Sequence, residues 1–270
     1  MDIIEQPASA ATLPAPPVPP YDVVVVGAGR VGGSYARALE RAGHTIVAEL
    51  RRYDDPSPLA RADVVVLTVP DDALGEAAGM VARLGKAGAA IVHSCGLHGL
   101  EPIRDCGPHI AAVHPAAPIA TSNQDLTGVC FGVTAPEHLH EWVTAFVDDL
   151  GGTTVFIAED ARPLYHAALA MASNFPVALA GDAAEILGSH EMLVPLMTSM
   201  VRNIAEHGPD AALTGPIARG DLGTVRAHLA ALPDHLQATY RENARRTLAR
   251  ARSSGRLTNE QALAVEALLR

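Results

Sequence analysis

The feature that most limits this chain is a junction near its start. Asp22-Val-Val-Val-Val26 is continuously apolar and β-branched, and Gly27-Ala-Gly-Arg-Val-Gly32 follows at once. A strand apolar at every position is buried on both faces, as in parallel sheets covered by helices. A helical stretch follows the glycines and closes at Gly43. This order brings free N–H groups and the positive end of a helix dipole to the turn, which suits a phosphate. Gly27 permits the tight turn, Gly29 lets backbone approach a pyrophosphate, and Gly32 lets the helix pack on the strand. The plainer alternative is a glycine-rich turn with no ligand.

The rest of the first half keeps alternating. His44–Leu50 reads as a second strand, Asp63–Val69 as another buried strand, Ala89–His93 and Ile110–His114 as two more, with a helix after Pro70-Asp71-Asp72. That alternation predicts an α/β domain of the Rossmann type, a doubly wound parallel sheet. After about residue 155 the pattern changes. Helical periodicity covers roughly 161–187, 191–206, 221–232, 234–253 and 258–269, and Gly-Pro pairs at 208–209 and 215–216 punctuate it. The expected organisation is a disordered Ala/Pro-rich tail over 1–20, a dinucleotide-binding domain over 21–157 and an all-helical substrate and dimerisation domain over 158–270.

The second strand should choose the cofactor. Glu49 could accept from a ribose 2′-hydroxyl, as NAD sites require. Arg51 and Arg52 follow where a 2′-phosphate would lie, and a guanidinium fork matches phosphate geometry. If the strand runs to Leu50, the arginines face the pocket and Glu49 does not. NADPH is therefore expected, with NADH as the alternative. The cofactor-binding set is Gly27, Gly29, Arg30, Val31, Gly32, Arg51, Arg52, Val69 and Pro70.

Composition narrows the partners. The formal net charge of −10 argues against a nucleic-acid surface. No apolar run is long enough to span a bilayer. Cys95, Cys106 and Cys130 show neither metal-ligand nor disulfide spacing, so no metal is expected and a reducing, cytoplasmic setting is.

Several segments resemble a largely uncharacterised group of bacterial proteins with a Rossmann-like domain and a helical C-terminal domain. They are Val69-Pro-Asp-Asp72, His93-Ser-Cys-Gly96, His114-Pro115, Tyr165-His-Ala-Ala168 leading to Ser173-Asn174, and Thr214-Gly-Pro-Ile-Ala-Arg-Gly-Asp221. The architecture resembles that of 6-phosphogluconate dehydrogenase, the β-hydroxyacid dehydrogenases, ketopantoate reductase, pyrroline-5-carboxylate reductase and prephenate dehydrogenase. The resemblance implies catalytic residues on the first helix of the second domain, and a homodimer through that domain. The hydroxyacid dehydrogenases carry a lysine and, four residues later, an asparagine. Asn174 matches the asparagine, but Ala170 stands at the lysine position, and Lys86 is the chain's one lysine.

His166, Ala170 and Asn174 share one helix face. His166 is the expected proton donor, its imidazole suited to neutral pH, and Asn174 would hold a substrate oxygen. The competing reading is a buried histidine bonded to a neighbouring helix. Ser94 and His114, at strand ends, and Arg219 are candidate substrate-binding groups. For His93 and Cys95 loop-ordering hydrogen bonds are the better reading. Asp221 reads as a helix N-cap. The expected function is NADPH-dependent reduction of a small carboxylate-bearing ketone or imine. The alternatives are a prephenate-dehydrogenase-like oxidation and a dinucleotide-binding sensor or scaffold without catalysis.

Overall fold

The computed structural model of the protein describes residues 15–270. The valine run forms β1 (Asp22–Val26), followed by α1 (Arg30–Arg41) and β2 (Thr45–Leu50). Next come β3 (Val64–Leu67), α2 (Leu74–Leu84), β4 (Ala90–His93) and β5 (Ile110–Pro115). Then β6 (Cys130–Thr134), α3 (His140–Asp149) and β7 (Thr153–Phe156) complete the sheet. The strand order is β2-β1-β3-β4-β5-β6-β7.

Strand residues alternate between two cores. Val23, Val25, Val64, Val66 and Val92 pack with Tyr35, Leu39, Trp142 and Phe146 on one face. Val24, Val26, Val65, Leu67 and Ile91 pack with Leu74, Val81 and Ile103 on the other. This is the two-sided burial that an all-apolar strand demands. The sheet differs from the fully parallel expectation at one place, where β5 and β6 pair antiparallel, His114 opposite Gly132. No helix separates them in the chain, and a parallel return needs a crossover. α3 then supplies one, and β6 and β7 are parallel again.

The first fourteen residues of the tail lie outside the described residues. Beside Tyr21, the Pro17 carbonyl accepts a hydrogen bond from the Trp142 indole at 3.1 Å.

Every element after β7 is helical: α4 (Arg162–Leu187), α5 (Leu193–Ala211), α6 (Pro216–Arg219), α7 (Leu222–Ala231), α8 (Asp234–Ser253) and α9 (Asn259–Leu268). Contacts divide the chain into a unit ending at Phe175 and a unit Pro176–Arg270. The division falls inside α4, because the first turns of that helix are built into the sheet unit. α4 continues as one helix through Pro176. In the second unit Val225, Leu248, Ala251, Val265 and Leu269 form the core. Gly208 breaks α5 with φ 77° ahead of Pro209. Asp221 caps α7, accepting from the Thr224 amide at 3.0 Å and its hydroxyl at 2.7 Å.

Candidate functional site

A cavity of about 660 Å³ opens beyond the carboxyl ends of β1, β2 and β3. Gly27, Gly29, Arg51, Arg52, Val69 and Pro70 line it. Gly27 sits at φ +110°, a conformation that favours glycine, and a Cβ there would lie 2.6 Å from the Thr68 carbonyl oxygen. A Cβ on Gly32 would collide with the Gly27 carbonyl and with Thr68 Oγ1. A Cβ on Gly29 would meet nothing within 4 Å, so that side of the backbone borders open space, while its amide donates to the Gly27 carbonyl at 2.7 Å. The turn thus has two glycines that the fold needs and one that the fold leaves open. This cradle fits a dinucleotide pyrophosphate in its residues and shape.

β2 ends at Leu50. Glu49 is exposed and is not among the cavity-lining residues, whereas Arg51 and Arg52 are. Arg83, from the last turn of α2, joins them, a contribution the sequence reading missed. Arg52 lies 3.8 Å from Glu76, with both side chains about three-quarters exposed, a weak contact that leaves the guanidinium available. Two residues of the expected set lie elsewhere. Arg30 is exposed at the first position of α1, and Val31 packs against the sheet core.

A second cluster occupies the carboxyl ends of β4 and β5, on the same edge of the sheet. His114, from β5, and His166, from the first turns of α4, lie with ring centroids 5.7 Å apart and planes at 77°. Both rings close over Gly96, where a Cβ would collide with His166 Nδ1 and stand 2.9 Å from His114 Nε2. Tyr165 completes the group, its hydroxyl 2.9 Å from His114 Nδ1. His166 Nδ1 is buried without a hydrogen-bond partner. An N–H there would be unsatisfied, so the neutral ring carries its proton on Nε2. Among the described residues His166 makes no hydrogen bond to a neighbouring helix.

Beneath this cluster lies Arg162, which the sequence reading did not single out. It is 0 % exposed and belongs to no ion pair among the described residues. Its Nη1 donates to the Gly132 carbonyl at 3.1 Å and, more weakly, to Thr134 Oγ1 at 3.4 Å. Its Nη2 donates to the Cys95 carbonyl at 2.5 Å. Its Nε is unpartnered, and the guanidinium carbon lies 5.5 Å from the Tyr165 ring centroid. Burial lowers the pKa of the guanidinium. Burial first, and then the Arg162 charge, depress His114 to about 4, so it is neutral at pH 7.

His93 is also depressed to about 4, chiefly by burial. It bridges the Gly99 carbonyl at 2.7 Å and the Cys95 amide at 3.1 Å, which is loop ordering. Burial and the neighbouring Asp71 push the Cys95 thiol up to about 11, so it is not a ready nucleophile. Ser94 is half-buried, and its hydroxyl makes no hydrogen bond among the described residues. Asn174 is exposed, its carbonyl accepting from Ser173 at 3.0 Å. It stands two turns beyond His166, ~12 Å along the axis. Arg219 is the exposed last residue of α6, in the second unit. Among the described residues no helix is long and apolar enough to cross a membrane, and no cluster of His, Cys, Asp and Glu could hold a metal.

Comparison with known proteins agrees with this architecture. Residues 129–247 match the model of a domain of unknown function, DUF2520. A candidate NADP oxidoreductase from Bacteroides fragilis superposes with a TM-score of 0.69 at 22% identity, covering 87% of this chain and 97% of the other. A protein from Thermotoga maritima gives 0.65 at 21% identity, covering 86% and 98%. A reductive aminase from Aspergillus terreus, solved with NADPH and ethyl-5-oxohexanoate, gives 0.52 at 16% identity, covering 92% of each. The fold is a Rossmann sheet with a helical C-terminal region. Comparison with curated proteins gives no match.

Proposed function

We propose that the protein is an NADPH-dependent oxidoreductase that reduces a small carboxylate-bearing ketone or imine. The observation that carries this reading is the cavity past the glycine turn, rimmed by Arg51, Arg52 and Arg83, on the same sheet edge as the His114–His166 pair. Ligands of open α/β sheets bind at that edge. Gly29 leaves room at its Cα for a pyrophosphate to approach, and the arginines offer forks to a 2′-phosphate. The dinucleotide supplies hydride when bound. The neighbours named as an NADP oxidoreductase and as a reductase-type aminase with NADPH support the same chemistry.

The chain's own part is the proton and the orientation. His166 Nε2–H faces the nascent alkoxide or amine, and the proton comes from His166 or from a water it holds, with solvent restoring it. Asn174, on the same face of α4, orients the substrate, and Ser94 contributes an unengaged hydroxyl at the end of β4. A protein that binds dinucleotide without turnover is the second reading, and Ala170 at the position of the lysine favours it.

Calorimetric titration of both cofactors is the first test. NADPH should bind at least tenfold tighter than NADH, and replacing Arg51 and Arg52 by alanine should remove that preference. Equal or tighter NADH binding rejects the cofactor assignment. Keto acids and imines screened with NADPH at the nicotinamide absorbance then test for turnover. With an active substrate, His166→Ala should lower kcat by roughly 10²–10⁴-fold with little change in NADPH affinity.

A further inference from the structure

Arg162 is a full positive charge, 0 % exposed, with two backbone carbonyls and one hydroxyl around it and, among the described residues, no carboxylate paired to it. Burying a charge is costly, and proteins ordinarily offset it with an opposite one. The acid whose charge acts on it, Glu159, is committed elsewhere: its carboxylate accepts the Leu100 amide at 2.8 and 3.0 Å. The side chains above the guanidinium are His114, His166 and Tyr165, none of them a carboxylate.

Hydrogen bonding fixes how these side chains present themselves. The Gly132 amide faces the Tyr165 oxygen and favours it as an acceptor. The Tyr165 hydroxyl proton is then free to donate to His114 Nδ1, 2.9 Å away. That places the His114 proton on Nε2, which is not among the sealed, unpartnered atoms. His166, with Nδ1 sealed against Gly96, also carries its proton on Nε2. The geometry points to an anion-binding site in which the Nε2–H groups of His114 and His166 hold the substrate carboxylate or the developing oxyanion, over the unneutralised charge of Arg162. A neutral imidazole donates without itself bringing a charge, so the buried arginine supplies the field. Arg162 touches no ligand and is a positioning residue. It joins the Cys95 loop to β6, and its charge disfavours protonation of His114. This site deepens the proposed function, since it rests on a carboxylate-bearing substrate, but it can be tested without dinucleotide.

The groups acting on His114 are Arg162, His166 and Tyr165 from α4, Asp71 from the loop after β3, and His93 from β4. Long-range ¹⁵N spectra of histidine-labelled protein should show His114 as the neutral Nε2–H form down to about pH 5. Pyruvate should shift the His114 and His166 ring signals saturably, and pyruvamide, equal in shape but uncharged, should not. Arg162→Met should weaken pyruvate binding at least tenfold and raise the pKa of His114. Arg162→Lys, which keeps the charge, should hold that pKa low. If Arg162→Met does not fold, Arg162→Lys and Tyr165→Phe carry the test. The phenylalanine variant should give mixed His114 tautomers and weaker pyruvate binding. Equal responses to pyruvate and pyruvamide, an Nδ1–H His114, or native pyruvate affinity in Arg162→Met would each overturn the proposal. Failure of NADPH binding would strike the proposed function and leave these results intact.

Discussion

Three glycines show how differently one residue type is used. Gly32→Ala drives a methyl into the Gly27 carbonyl, and Gly96→Ala drives one into the His114–His166 pair. Overpacking of this kind costs about 1–3 kcal/mol. Gly29→Ala meets open space, and its φ of −97° suits any residue. Thermal unfolding should therefore show Gly32→Ala well below the native protein and Gly29→Ala near it. Calorimetry should show Gly29→Ala weakened toward NADPH, because the methyl occupies the approach of the pyrophosphate. The buried histidines set a pH limit of their own. His93 and His114 are held neutral with pKa values near 4, against 6.5 in the unfolded chain. Below pH 6.5 the unfolded chain binds protons that the fold refuses, so stability falls from pH 6.5 toward 4 and levels off beneath. Urea unfolding at pH 7 and pH 5 should show this loss, on the order of 1 kcal/mol or more. It should be smaller in His93→Asn, referenced to that variant's own stability at pH 7.

At the scale of the element, the helices of the second unit are unusually legible. Their ends carry explicit signals: Asp221 before α7, Pro216 opening α6, Gly208-Pro209 breaking α5. Such signals act within a turn of chain, so local reading finds them. Asp221→Ala should lower the melting temperature by a few degrees, and Asp221→Asn should retain most of it, since asparagine caps almost as well. The sheet's reversal at β6 was not legible. The segment from β5 to β6 lacks a crossover helix, but that sets the pairing direction only once β6 is known to lie beside β5, which is a tertiary fact.

At the scale of the molecule, α4 and α5 stand out. Of their many apolar residues, Phe175, Val177, Ile186, Val194, Leu196 and Val201 are exposed, and α5 buries Leu193 alone among its residues. An apolar face of this extent fits a second copy of the chain, as the resemblance to dimeric dehydrogenases implies. Light scattering should give a dimer mass at micromolar concentration. Val194→Asp combined with Val201→Asp should shift the protein toward monomer. A native monomer would reject the assignment.

The sequence by itself determined whatever is written in near neighbours. The valine strand, the glycine turn, the helix caps and the run of β2 to Leu50 beside Arg51 and Arg52 all follow from residues a few positions apart. It also placed His166 and His114 among the candidates and gave His93 its loop-ordering role. Only the tertiary structure decided that His114 and His166 share Gly96, that Arg83 reaches the cavity of the glycine turn, and that Arg162 is buried. The Arg162 contacts run to Gly132, Thr134 and Cys95, separations of 30, 28 and 67 residues. In the sequence Arg162 follows Glu159-Asp160-Ala161 and looks like a solvated helix start. Its environment is made by the loop after β4 and by β6, and no local pattern encodes which distant carbonyls a side chain will meet.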